Sequence, residues 1–175
     1  MRNLLQKVAL VIVLLAAAAS VGCGRPFDIK TPSEMLELKD QDPPFAYRAM
    51  TPDGVVVAMR VVDDDRADLG FWEHAVTLRI RELAGYSLLH ESDVTSHDGT
   101  KGKELVFGHD ENGKPYVYKV RVFVAQGRVF VLEAGGAKPQ MDRYTPVVDW
   151  TMNSVKVTCR ALLSPVFASR TCNRW

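Results

Sequence analysis

Residues 116–134, YVYKVRVFVAQGRVFVLEA, decide how this chain folds. In the first half the side chains alternate: Tyr116, Tyr118, Val120, Val122 and Val124 fall on one face, and Val117, Lys119, Arg121 and Phe123 on the other. A period of two is the mark of a strand. Gln126-Gly127 then turns the chain, and Val129-Phe130-Val131-Leu132 is apolar without interruption. An unbroken run of that length between turn signals reads as a central strand covered on both faces.

Just upstream, Glu111-Asn112-Gly113-Lys114 is a hairpin turn of the Asn-Gly type, preceded by strands at Tyr86–Thr95 and Lys103–His109 with His97-Asp98-Gly99 between them. Further back, Phe45–Met50 and Val55–Val62 flank the turn Thr51-Pro52-Asp53-Gly54. In Val55–Val62 both alternating sets are apolar, and only Arg60 breaks one of them. Leu69, Trp72, Val76, Ile80 and Leu83 recur at helical steps, with Asp68 as N-cap and Gly85 as stop. A last helix is expected from Gln140 to about Ser154, with Gly135-Gly136 and Pro139 ending the sheet before it. Pro146 belongs in its first turn or at a bend. The order β-β-α-β-β-β-β-α predicts an α+β fold: one mainly antiparallel sheet of about six strands with helices on both faces.

The N-terminus says where the chain lives. Arg2 and Lys7 precede the apolar run Val8–Ala19, which exits through Ser20-Val21-Gly22-Cys23. Basic start, short apolar core and small-residue exit read as a secretory signal over residues 1–22. A membrane-spanning helix needs roughly 20 apolar residues, more than this run supplies. Gly22-Cys23 resembles the lipobox of bacterial lipoproteins, which makes Cys23 the lipidated first residue of the mature chain. Residues 23–44, with Pro26, Pro32, Pro43 and Pro44, read as a tether with a short helical turn at Ser33–Lys39. Residues 45–157 form the domain and 158–175 an extension. In an exported chain Cys159 and Cys172 are expected to pair, and a loop of that length contributes about 2–3 kcal/mol.

Lys and Arg number 22 against 21 Asp and Glu, a formal balance of +1 that becomes −1 once Arg2 and Lys7 leave with the signal. Nothing forms a basic stripe, which argues against nucleic-acid binding. Asp63-Asp64-Asp65 offers hard oxygens but lacks the alternating pattern of a calcium loop, so a solvated connection is the simpler reading. His90 and Glu91 point to opposite faces of a strand, and no zinc or nucleophile motif is present. Gly135-Gly136 has no following Lys-Thr or Lys-Ser to cradle phosphate. Tyr116, Tyr118, Trp72 and Phe130 either line a hydrophobic cleft or, more simply, fill the space between helix and sheet. Lys119, Arg121 and Arg128 form a local basic cluster whose ordinary fate is pairing with Glu104 or Glu133.

With these elements placed, the chain resembles the PsbP-like fold, shared by the photosystem II extrinsic protein PsbP, the Ran-binding import factor Mog and DcrB-like lipoproteins. The likeness rests on Thr51-Pro52-Asp53-Gly54 with its valine strand, the helix around Phe71-Trp72 and the Gly99 to Phe107 stretch. The paired strands around Gln126-Gly127 and the helix closing at Ser154-Val155-Lys156 complete it. The resemblance implies a compact binding or assembly module without enzymatic activity, and carries no ligand-binding residue over. The expected function is a lipid-anchored cell-envelope protein with a non-catalytic protein-interaction domain. Its partner would be an envelope or secretion-system protein; a small-ligand or metal carrier is the alternative. No catalytic residue, metal ligand or cofactor is expected. Gly24, in place of an aspartate, favours the outer membrane in a host with two membranes.

Overall fold

The computed structural model describes residues 25–39 and 43–158; the expected signal segment, Cys23, Cys159 and Cys172 lie outside the described residues. Seven strands make one sheet: β1 (Leu36–Glu37), β2 (Phe45–Met50), β3 (Val56–Asp63), β4 (Ser87–Thr95), β5 (Lys101–Glu111), β6 (Lys114–Ala125) and β7 (Arg128–Ala137). Two helices complete it: α1 (Leu69–Leu78), continued by a π-helical turn over Arg79–Leu83, and α2 (Lys138–Asn153). The strand order is β1-β2-β3-β7-β6-β5-β4, antiparallel throughout.

The apolar run at 129–132 sits mid-sheet, as its pattern requires. Phe130 and Leu132 face α2, packing with Phe123, Val57, Met59, Met141, Val148 and Met152. Val129 and Val131 face α1, with Val120, Val122, Leu105, Phe107, Trp72, Val76 and Ile80. Two turns hold the register of the long hairpins. Asn112-Gly113 (φ 54° and 78°) and Gln126-Gly127 (φ 53° and 70°) have both central residues left-handed, the geometry that matches strand twist.

Four features differ from the sequence reading. First, β7 does not stop at Ala134: Gly135 and Gly136 lie inside it. A Cβ on Gly135 would stand 2.7 Å from the Tyr118 ring, so glycine at this position makes room for an aromatic neighbour rather than ending a strand. Second, α2 begins at Lys138 and carries Pro146 in its interior, where the missing N–H leaves the Asp142 carbonyl without its helical donor. Third, β5 extends two residues beyond each end of the expected Lys103–His109. Fourth, residues 25–38 are no free tether. Phe27, Ile29 and Met35 are buried in the α2-side core, Leu36–Glu37 pairs with β2, and Asp28 bridges to Lys156. Instead of a helical turn at Ser33–Lys39 there is a bend followed by β1, because Met35 needs a place in the core more than the segment needs helical hydrogen bonds.

The last described residues are held by Asp98. Its carboxylate accepts from the Ser96 hydroxyl at 2.5 Å, from the backbone N–H groups of Val157 (3.1 Å) and Thr158 (2.6 Å), and from the Thr158 hydroxyl. Burial alone pushes this carboxyl up, but the four hydrogen bonds outweigh it and hold it below the ordinary carboxylate range. A depressed folded pKa gives stability that is full above the unfolded value and is lost as pH falls through the folded one. Asp98→Ala should therefore cost about 1.5–3 kcal/mol at neutral pH. The cost should shrink towards strong acid, measured by urea unfolding across pH; a pH-independent cost would contradict this account.

Candidate functional site

On the α1 face the helix does not lie flush on the sheet. Between them opens a cavity of about 540 Å³, lined by Trp72, Val76, Arg79 and Ile80 on one side and by Arg60, Val62, Tyr118, Val131 and Glu133 on the other. That volume falls in the usual range for small-molecule sites. Local sequence explains the gap. Asp68 caps α1 by accepting from Phe71 N at 2.8 Å, and Asp64 accepts from Trp72 Nε1 at 3.0 Å, which fixes the helix start. The π-helical turn at Arg79–Leu83 then supplies Arg79, Ile80 and Leu83 to the far end of the lining before Gly85 (φ 70°) reverses the chain.

The floor carries the polar groups. Arg60 Nη2 lies 3.2 Å from Glu133 Oε2, and the Tyr118 hydroxyl hydrogen-bonds Glu133. The Arg60 guanidinium also lies over the Phe45 ring, 4.6 Å from its centroid, and its buried Nε has no hydrogen-bond partner. Burial pushes the Glu133 carboxyl up, against the pull of Tyr118, Arg60 and Arg79. Burial and the Glu133 charge together raise the Tyr118 phenol far above its ordinary value, so it stays neutral. Tyr86 closes the polar end, stacked on His109 at 4.8 Å and 5.9 Å from Tyr118.

A carboxyl whose folded pKa is raised binds its proton more tightly in the native state. Its contribution is full below the unfolded pKa and is lost as pH rises through the folded one. Glu133→Gln should remove that fall from the stability curve just above the ordinary carboxylate range, read by denaturant unfolding at a series of pH values. An unaltered slope would place the titration elsewhere.

Of the aromatic residues singled out from sequence, Trp72 and Tyr118 line the cavity, Phe130 packs on the opposite face, and Tyr116 lies outside the lining. Arg60 and Glu133 do not read as a site from sequence alone. The signal is present in Arg60, the lone charge in an apolar face; what it lacks is a partner on the neighbouring strand β7, 73 positions on in the chain. The basic cluster divides: Lys119 meets Asp149 of α2 at 2.7 Å, Arg121 meets Glu104 at 2.6 Å and Arg128 meets Asp63 at 2.8 Å. Glu91 and Asp93 both pair with Lys103. Among the described residues no three His, Cys, Asp or Glu side chains come together as metal ligands.

No protein-family model matches the chain, and neither does any of the curated proteins compared with it. Solved structures do share its fold. LpqN of Mycobacterium tuberculosis, described as involved in cell envelope biogenesis, superposes with a TM-score of 0.59 at 15% identity, over 78% of this chain and 86% of LpqN. The cyanobacterial PsbP of Synechocystis sp. PCC 6803 gives 0.53 at 11% identity, over 79% of this chain and 95% of that one. The fold is PsbP-like. At such identities the likeness speaks for architecture alone, and the residues of the cleft must be argued from their own chemistry.

Proposed function

We propose that this is a lipid-anchored cell-envelope protein, held by acyl chains on Cys23, whose domain is non-catalytic and binds a small apolar ligand in the cleft between α1 and the sheet. The cleft carries this reading: a concave apolar site with a few convergent polar groups on its floor is the form that small-molecule sites take. The signal-like N-terminus and Cys23 support the envelope location, and the fold shared with LpqN is consistent with it. Two or more acyl chains make anchoring stable, since each buried methylene contributes about 0.8 kcal/mol.

A ligand that prefers the native state raises the unfolding temperature. Thermal unfolding of the full chain with decanol should show such a rise, and Val76→Glu, which places a charge in the apolar wall, should abolish it. An equal rise in that variant would move binding out of the cleft. A second reading, a surface for an envelope or secretion-system protein, is favoured by Phe71 and Leu83, which are 65% and 77% exposed at the two ends of the same helical segment.

A further inference from the structure

The cleft is not uniform along its length. At the Trp72 end its walls are apolar: Val62 and Val131 from the sheet and Val76 from α1. Seven residues along α1, a rise of about 10 Å, Arg79 stands at the other end with Arg60, Glu133 and Tyr118. That end holds two guanidinium groups against one carboxyl, and the phenol beside them is neutral. Arg60 is already paired with Glu133, yet its side chain keeps 33% of its surface exposed. Arg79 has no ion-pair partner among the described residues and reaches Glu133 only through its longer-range field. Even with Glu133 ionised, the polar end carries a surplus positive charge; with Glu133 protonated it carries two. Arg79 also lies where it offsets the negative end of α1, but that role does not call for a second guanidinium on the sheet opposite.

We infer that the cleft takes a monoanionic amphiphile of the fatty-acid class, with its apolar chain along Trp72, Val76 and Val131 and its carboxylate between Arg60 and Arg79. The inference rests on the cleft being the binding site and adds the headgroup it selects. A guanidinium matches a carboxylate in shape and charge, and two of them, with Arg60 partly buried, discriminate against a neutral or cationic head on the same chain.

The test uses the full-length chain in nanodiscs and a decanoate bearing a diazirine on its chain, with photolabelled peptides mapped by mass spectrometry. Label is expected within residues 72–86 and around Val131. Unlabelled decanoate should compete for it at least about tenfold better than decanol or decyltrimethylammonium. Arg60→Gln should reduce cleft labelling about tenfold. Because that variant uncouples Glu133 and is at risk of misfolding, Arg79→Gln, at an exposed position, provides the second arm, with a loss of about threefold. Competition by decanol equal to decanoate, or labelling indifferent to both arginines, would overturn the headgroup assignment while leaving the cleft as the binding site. Absence of label from the cleft, with decanol giving no thermal stabilisation, would overturn both.

Discussion

Cys23→Ala should move the protein from the membrane fraction to the soluble fraction almost completely. Nothing else among the described residues offers a comparable hold: no helix there is long and apolar enough to cross a bilayer. The seven large apolar side chains exposed among the described residues, Phe71, Leu83 and Trp150 among them, cannot replace acyl chains that each bury many methylenes. The domain itself should be indifferent to the change, because the described chain from Arg25 on makes its own contacts: Arg25 pairs with Glu37 at 3.1 Å and Phe27 is 2% exposed. The expected result is therefore a change of location with an unchanged unfolding transition. Cell fractionation with immunodetection reads the first, and circular dichroism the second. Retention of Cys23→Ala on membranes would point to a different anchor.

Phe130→Ala should be among the most damaging single substitutions in the domain, at about 3–5 kcal/mol. Phe130 is 1% exposed, in the strand that both helical layers cover, and packs in the α2-side core with Phe123, Leu132 and Met152. Its neighbours belong to the central strands and to a helix pinned by Lys119–Asp149 and by Arg121 Nη1 on Asn153 Oδ1 at 2.7 Å, so the hole cannot close by a local shift. Since a domain of this size has only about 5–15 kcal/mol to lose, such a variant is expected to be largely unfolded near physiological temperature. The contrast is Val76→Ala on the other face. There the side chain borders a cleft already open to solvent, little new cavity forms, and a loss of about 1 kcal/mol is expected. Urea unfolding of the two variants side by side measures the difference; equal costs would mean that the α1 face is packed as tightly as the α2 face.

The fold was legible where side-chain period and turn chemistry agree. The stretch at 116–134 gave two strands, their turn and the need for cover on both sides, and the structure places a helix on each face. Asp68 and Gly85 marked the ends of the first helical segment, where a cap accepts at 2.8 Å and a left-handed glycine reverses the chain. What escaped depended on contacts distant in sequence. Gly135 reads as a breaker until the Tyr118 ring is known to lie against it, and the proline-spaced segment 25–38 reads as a linker until Phe27 and Met35 find their hole in the core. The π-helical turn at Arg79–Leu83 has no signature that propensity rules recognise, yet it shapes one end of the cleft. The site was half visible for the same reason. Arg60 stands out as a charge in an apolar strand, but from sequence Glu133 reads, like Glu104, as a partner for the basic cluster. That cluster lies elsewhere: Lys119 and Arg121 engage α2, and Arg128 engages Asp63. Strand pairing between β3 and β7 sets Arg60 opposite Val131 and brings Glu133 within reach on the α1 face.

The proposal as a whole depends on a mature chain that begins at Cys23 with its sulfur acylated, since a cleft for membrane-derived amphiphiles has its use beside a bilayer. Intact-mass and N-terminal peptide mass spectrometry of the protein extracted from host membranes tests this most directly. The expected result is a first residue Cys23 carrying a diacylglycerol on its thiol. A mature chain starting at any other position, or one in which that thiol is free, would contradict it.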